Sequence, residues 1–221
     1  MFSKLKSMFT SPEISPSPNS LGDKRREAMV EALGQLEHID RDTDTHNGID
    51  IYAFGRNFVE ECDLDAEDDE GFVLVTSGMS DRWMSPPENF DNEETLAIEL
   101  IWYVRELNPE YLSNLRWLAK LPFIDNTWFG MGHTVPMPKP PLSFCPFSTF
   151  LFLPPIIRTD RYLFEDIDQQ GQSVGTLVVH MVSPQEYDLV KKQEGLNQFL
   201  DLLDENDYPT IFTPSRESIV P

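Results

Sequence analysis

Two serines beside a glycine, Ser77 and Ser80, are the first candidates for chemistry in this chain. They stand in the segment Ser77-Gly78-Met79-Ser80-Asp81. The nucleophile elbow of α/β-hydrolases needs Gly-x-Ser-x-Gly, because glycines relieve the sharp strand-to-helix turn. Arg82 stands where the second glycine after Ser80 is required, and Ser77 lacks the leading glycine. The segment therefore indicates a turn, in which Gly78 takes a positive φ and Ser or Asp side chains bond the backbone.

Histidines are the second candidates, and none forms His-Glu-x-x-His or lies near a cysteine pair: His38, His46, His133 and His180. His133 has the closest polar neighbours, because residues 125–127 are Asp, Asn and Thr. Two roles stay open for it: a polar group on a recognition surface, or a histidine that holds its own loop together. A hydrolase built from Ser77 or Ser80, His133 and an aspartate would need nucleophile and base within about 3 Å.

The segment Gly130-Met131-Gly132-His133 begins like a dinucleotide-binding loop. It lacks the third glycine, and it follows a predicted helix and turn, whereas the dinucleotide loop follows a strand and opens a helix. The sequence also contains no Gly-x-x-x-x-Gly-Lys-Ser/Thr loop. We therefore expect no cofactor, no metal and no catalytic site, and the sequence favours a protein that is not an enzyme.

The first half of the chain predicts one helix and three strands. Asp23 is a capping residue for a helix through about His38, with apolar residues at helical spacing on its inner face: Met29, Val30, Leu33 and Leu36. The predicted strands are Ile49–Phe54, Phe72–Thr76 and Leu96–Val104. The third is the clearest, because its apolar residues occupy both alternating faces.

In the second half, Asn108-Pro109 predicts a helix start, since a capping side chain precedes a proline at the first helical position. Pro122 is expected to end that helix. A proline-rich stretch from Val135 to Pro146 should stay extended, outside any central strand. The remaining elements are a strand at 147–153, a turn at 169–171, a strand at 174–182, a capping box at 183–186 and a helix at 196–203. This order predicts an α+β fold, with a mixed, largely antiparallel sheet packed with helices.

Composition and length favour one globular domain preceded by an extension. The chain has 221 residues and a hydrophobic fraction of 40%. Residues 11–20 hold three prolines and four serines, which is typical of a linker. We predict a flexible N-terminal arm at 1–22, an N-terminal helix and linker at 23–44, and a single domain at 45–221.

The net charge of −21 is the strongest feature of the composition. It disfavours nucleic-acid binding, and it either favours a basic partner or serves solubility alone. Residues 60–70 hold eight acidic side chains, among them Asp68, Asp69 and Glu70. This run is either a solvated loop or a docking surface for a cationic partner. The sequence contains no apolar run of membrane-spanning length and no secretory signal, so cytoplasm is the expected location, with Cys62 and Cys145 as reduced thiols.

Five short segments occur in an order that resembles the Suppressor of fused domain: Leu74–Asp81, Leu115–Ala119, Asp125–Trp128, Gly132–Thr134 and Leu153–Pro155. The resemblance covers roughly residues 45–215 and suggests a single-domain, bacterial-type member. It implies a mixed α/β domain that binds other proteins and has no catalytic site. Animal members have a second domain, sequester a transcription factor of the Hedgehog pathway and clamp a short peptide as an added strand. In their peptide groove an acidic residue precedes the histidine, and here that position is Gly132.

The family has also been linked to immunity proteins that neutralise secreted polymorphic toxins, a role that suits an acidic surface. The leading hypothesis is therefore an immunity or regulatory protein that sequesters a partner protein by stoichiometric contact. The alternative is a regulator that binds a short peptide by strand addition near His133; a hydrolase ranks third. The candidate protein-binding residues are Asp125, Trp128, Phe129, Gly132, His133, Asp68, Asp69 and Glu70.

Overall fold

The computed structural model describes residues 20–58, 70–88, 95–206 and 210–220. The helices in these ranges are α1 (Leu21–Leu33), α2 (Pro109–Ile124), α3 (Arg158–Arg161), α4 (Pro184–Val190) and α5 (Gly195–Glu205). The strands are β1 (Leu36–Asp40), β2 (Asp50–Asn57), β3 (Glu70–Ser77), β4 (Ile98–Val104), β5 (Thr134–Pro136), β6 (Thr149–Leu153), β7 (Asp168–Gln169), β8 (Gln172–Ser173) and β9 (Gly175–Val182). None of the described helices combines the length and hydrophobicity that a membrane span requires.

Seven strands form one sheet in the order β1-β2-β3-β4-β9-β6-β5. The β4–β9 pair is parallel, and the other neighbours in this sheet are antiparallel. The prediction of an α+β fold with a mixed, largely antiparallel sheet is confirmed. The strands β7 and β8 form a separate two-stranded ribbon, whose turn holds Gln170 and Gly171 at positive φ.

The sheet is covered on both faces, and β4 at its centre shows why. All seven of its residues are buried. Leu100, Trp102 and Val104 point into a core that α2 closes, whereas Ile101 and Tyr103 point into a second core that α1 closes. The alternation predicted from the sequence is therefore confirmed, with an apolar cover over each face.

Local chemistry sets the start of α2. The side chain of Asn108 accepts a hydrogen bond from the backbone N–H of Glu110, and Pro109 occupies the first turn. The prediction that Pro122 ends this helix was wrong. Pro122 lies inside the last turn and is buried, and the helix continues to Ile124. The apolar core beneath this turn holds the proline in helical geometry despite the missing N–H group.

The prediction for the first helix was also wrong at both ends. The capping residue is Ser20, whose hydroxyl accepts from the N–H of Asp23. The helix stops at Gly34, where φ is +89°, and the chain re-enters the sheet as β1. The predicted inner residue Val30 is 48% exposed. The pairing of β1 with β2 lies outside the reach of a local pattern, since it joins residues far apart in sequence.

The strands β5 and β1 are the two edges of the sheet. The proline-rich stretch contributes β5 as an edge strand, as expected for residues that cannot donate to a central ladder. The predicted capping box of α4 is present, with reciprocal bonds between Ser183 and Glu186. The division of the chain at residues 22 and 44 stays a prediction, and residues 1–19 lie outside the described ranges.

Candidate functional site

A fully buried carboxylate, Glu99 of β4, organises the turn after β3. Its side chain is 0% exposed. One oxygen accepts hydrogen bonds from the N–H of Gly78 (2.9 Å), the N–H of Ser80 (3.1 Å) and the hydroxyl of Ser80 (2.7 Å). The other accepts from the hydroxyl of Thr76 at 2.7 Å. Gly78 has a φ of +124°, so the predicted turn with a positive φ at this glycine is confirmed.

The positive charge opposite Glu99 comes from Arg25 of α1, which is 2% exposed. Its Nε donates to the hydroxyl of Ser77 at 3.0 Å and lies 3.4 Å from Glu99. Its Nη1 donates to Ser80 at 3.0 Å and to Asp81 at 2.7 Å. Burial alone would lower the pKa of Arg25, but the Glu99 carboxylate and the hydrogen bond to Asp81 raise it above its ordinary value. Both serine hydroxyls are thus bonded within a buried ion-pair network.

The topology argues against the hydrolase arrangement of Ser77 or Ser80 with His133. His133 precedes β5, and three strands (β4, β9 and β6) lie between β5 and the serine-bearing end of β3. At roughly 4.8 Å per strand, the backbones of β3 and β5 are about 19 Å apart along the sheet. Nucleophile and base would have to lie about 3 Å apart.

His133 is half-buried and bonded within its own loop. Its Nδ1 lies 3.3 Å from the carbonyl oxygen of Trp128, and the two rings meet edge to face with centroids 4.3 Å apart. The backbone N–H of His133 donates to the carbonyl of Gly130, and its backbone carbonyl accepts from the N–H of Phe152 in β6. The structure thus gives His133 a loop-holding role, one of the two roles left open by the sequence.

The neighbours of His133 divide into inner and outer groups. Phe129 is 4% exposed and stacks on Phe152 with centroids 4.3 Å apart. Trp128 is half-buried, and Asp125 is exposed at the end of α2. Asp125 and part of Trp128 are therefore accessible at the surface, whereas Phe129 supports the loop from the core.

Gly132 has a physical reason to be glycine. Its φ is +80°, a region that residues with a Cβ avoid. A Cβ built at this position would stand 2.5 Å from the side chain of Leu196 in α5. Its N–H donates to the carbonyl of Phe152 at 2.8 Å. The acidic residue expected here from the animal relatives would therefore strain this loop.

The acidic candidates do not join this loop. Asp68 and Asp69 lie outside the described residues, as does Cys62. Glu70 is exposed at the start of β3, where it pairs with Asn57 of β2. Because β3 and β5 are four positions apart in the sheet, Glu70 is at least about 19 Å from the His133 loop. Among the described candidates, Glu70 therefore lies apart from His133 along the sheet.

The edge strand β5 has one side directed away from the sheet. The N–H of Met137 donates to Ser148, and the carbonyl of His133 accepts from Phe152. Because inward and outward residues alternate in an antiparallel pair, the N–H and carbonyl of Thr134 and the carbonyl of Pro136 face the outer side. Proline has no N–H group, so the outer side of β5 offers a single donor.

Positive and negative side chains beside the buried network are equal in number. A polar cleft of about 300 Å³ opens next to the turn and includes three arginines and three aspartates: Arg25, Arg26, Arg41, Asp23, Asp50 and Asp81. Arg41 forms an ion pair with Asp50. No three His, Cys, Asp or Glu side chains are grouped as metal ligands in the part of the chain that the structure describes. The cleft thus has no net formal charge with which to attract an ionic ligand.

Sequence reasoning missed both Arg25 and Glu99. A signal existed for each of them. Arg25 precedes Met29 and Leu33 at steps of four residues, which places it on the buried stripe of α1. Glu99 is the one charged residue in an otherwise apolar strand, and a buried carboxylate needs a cation or several donors.

Comparison with known protein families gives a match over most of the chain. The sequence profile of the Suppressor of fused protein (SUFU) family matches residues 45–217. Among curated proteins, no sequence matches.

Three solved structures share the fold. A Suppressor of fused homologue from Neisseria gonorrhoeae is 16% identical, with a TM-score of 0.63 over 91% of this chain and 97% of that one. The Sufu chain of a Sufu–Fu complex is 13% identical, with a TM-score of 0.62 over 89% of each. Drosophila Suppressor of Fused is 13% identical, with a TM-score of 0.53 over 77% of this chain and 42% of that one. At these identities the likeness establishes a common fold.

Proposed function

This chain belongs to the Suppressor of fused family, and on that premise we propose that it is a non-catalytic protein-binding module. In this proposal it is an immunity or regulatory protein that sequesters a partner protein by stoichiometric contact. A structure with a likeness to this chain is that of a Sufu–Fu complex, in which Sufu is bound to another protein. The net charge of −21 favours a basic partner, such as a toxin domain, and disfavours nucleic acid.

The observation that supports this proposal most is that the polar side chains of the turn at 77–81, called the family's turn below, are bonded to other side chains of the protein. Ser77, Ser80 and Asp81 all accept hydrogen bonds from Arg25, and Ser80 donates to Glu99. A nucleophile needs a base within reach, and these hydroxyls are instead fixed by an arginine and a carboxylate. The turn therefore suits a scaffold that presents a surface.

In the proposed interface, Asp125 and Trp128 contact the partner, and Phe129, Gly132 and His133 hold their loop in shape. A partly exposed tryptophan suits this role, because tryptophan is enriched among residues that dominate binding energy. Glu70, with Asp68 and Asp69, forms a second acidic region for a cationic partner in the same proposal. The cytoplasm remains the proposed location.

The test is co-expression with each protein encoded beside this chain, followed by co-purification and measurement of stoichiometry. We expect one neighbouring gene product to purify with this chain at a fixed ratio and its toxicity to be neutralised. Trp128→Ala should weaken the complex. Failure of every neighbouring gene product to bind would reject the immunity role.

The second candidate function is a regulator that binds a short peptide by strand addition at β5. The outward N–H and carbonyl of Thr134 favour it, since an added antiparallel strand would pair with both. Thr134→Pro removes this donor and should abolish strand addition while leaving the bonds from β5 to β6 in place. A peptide that binds this variant as tightly as the unmodified chain would reject this candidate.

A further inference from the structure

Two large apolar side chains are exposed on adjoining segments near the C-terminal end of α2. Trp83 is 39% exposed and Ile124 is 67% exposed. A third, Phe123, is half-buried beside them. Trp83, Phe123 and Ile124 are called the Trp83 surface below. Neither the family's turn nor the buried network explains why they face solvent.

Contacts on both sides of Trp83 place its segment against the end of α2. The guanidinium of Arg82 lies over the ring of Phe123, 3.9 Å from its centroid. Beyond Trp83, the N–H of Ser85 donates to the carbonyl of Thr127 at 3.1 Å, and its hydroxyl donates to Asn126 at 2.9 Å. Trp83 and Ile124 therefore lie on two chain segments that contact each other on both sides of Trp83.

Acidic side chains surround this apolar centre. Glu88 and Asp125 are exposed on the same two segments, whereas Asp81 is paired with Arg25 and Arg82 is partly buried over Phe123. An apolar centre with a polar rim is the anatomy of a protein interface, and this rim is complementary to positive charge.

We propose that the Trp83 surface is the docking site for a cationic amphipathic segment of a partner protein. Apolar anchors of that segment pack on Trp83 and Ile124, and its lysine or arginine side chains pair with Asp125 and Glu88. The inference rests on the proposed protein-binding function, because it names the chemistry of the partner. It concerns a different surface from the outer side of β5.

The test uses two labelled synthetic peptides, an amphipathic Lys/Leu helix and its Glu/Leu counterpart, with binding to the full chain followed by fluorescence anisotropy. We expect the Lys/Leu peptide to bind and the Glu/Leu peptide to fail. Trp83→Ala should weaken binding about tenfold, since tryptophan anchors dominate interface energies. Asp125→Asn should weaken it several-fold and reduce its salt dependence.

Phe144→Ala is the matched control. Phe144 is also 39% exposed, but it packs on Tyr111 near the start of α2. From Tyr111 to Ile124 the helix axis advances about 20 Å, so Phe144 lies outside the Trp83 surface. Equal effects of the two alanine variants, or no binding of the Lys/Leu peptide by the unmodified chain, would overturn the proposal.

A further variant addresses a competing occupant, the N-terminal segment of this chain, which combines Phe2, Leu5 and Phe9 with two lysines. If changing these three residues to serine raises the peptide affinity, the segment itself covers the surface and the partner assignment is wrong. If Trp83→Ala weakens peptide binding while no neighbouring gene product co-purifies, the surface stands and the immunity role falls. If Trp83→Ala leaves peptide binding unchanged while a neighbouring gene product does co-purify, the proposed surface is wrong and the immunity role stands.

Discussion

Replacing Arg25 by methionine should destabilise this protein more than any exposed substitution on the same helix. The change keeps most of the apolar stem of the side chain but removes the guanidinium group and its charge. Glu99 would then be left buried and 0% exposed without its cation, and Ser77 would lose a donor at 3.0 Å. The effect should therefore come from the carboxylate left behind rather than from lost apolar area.

The magnitude follows from the geometry of the network. Removing one partner of a buried ion pair costs about 3–5 kcal/mol, because the remaining charge stays desolvated. Glu99 keeps four hydrogen bonds from Thr76, Gly78 and Ser80, which moderates the loss. We therefore expect about 3 kcal/mol for Arg25→Met. In Arg25→Met/Glu99→Gln, the amide has no charge, and at least half of this loss should be recovered.

Urea unfolding of the single variants and the double variant gives the double-mutant cycle, with unchanged m-values as the condition for comparing midpoints. Arg26→Met is the control, because Arg26 is exposed on the same turn of α1 and should change stability by less than about 0.5 kcal/mol. The reasoning is refuted if Arg25→Met costs less than about 1 kcal/mol, or if the double variant is no more stable than Arg25→Met.

Three further predictions concern other buried groups. Gly132→Ala should cost about 1–2 kcal/mol in urea unfolding, since φ is +80° and the new Cβ would meet Leu196. Gly171→Ala, at φ +91° with open space around it, measures the backbone strain alone and should cost less. Burial and the nearby charge of Arg216 lower the pKa of His180 to about 4. Stability should thus be full above pH 6.5 and fall by up to about 1.4 kcal/mol per pH unit towards pH 4, a loss that His180→Gln should remove from unfolding curves measured across this range. Arg216→Met should cost about 3–5 kcal/mol in the same assay, because Glu186 is 0% exposed and is held by two bonds of 2.6 and 2.7 Å.

Features with a local physical cause were predictable from the sequence. The start of α2 at Asn108-Pro109 and the capping box of α4 depend on side chains that bond backbone groups within a few residues. The alternation in β4 was visible because apolar residues occupied both faces. The α+β fold followed from the order of such elements, since they do not alternate regularly as in βαβ units.

The failures arose where distant residues decide the outcome. The chain after Gly34 reads as a continuing helix, but pairing with β2 draws it into the sheet as β1. Pro122 reads as a helix end, but its burial keeps it inside the last turn of α2. The spacing of Arg25 places it on the buried stripe of α1, but only the position of Glu99 in the folded sheet shows its partner.

Within the candidate site, the sequence pointed to the loop at 125–133 but could not show which of its side chains are buried. Trp128 and Phe129 are neighbours of similar type, yet the second stacks inside on Phe152 and the first remains half-buried. The distance between Glu70 and His133 depends on strand order, which no local pattern specifies. Of the candidates that the structure describes, Glu70 therefore lies apart from His133.

The buried network also joins residues inside the family match to residues that precede it. The family profile begins at residue 45, but α1 and β1 lie before it and cover one face and one edge of the sheet. Glu99 and the turn at 77–81 lie within the profile, whereas the cation that neutralises them lies outside it on α1. A buried carboxylate without a cation is strongly unfavourable, so in this chain the turn at 77–81 depends on Arg25 of α1.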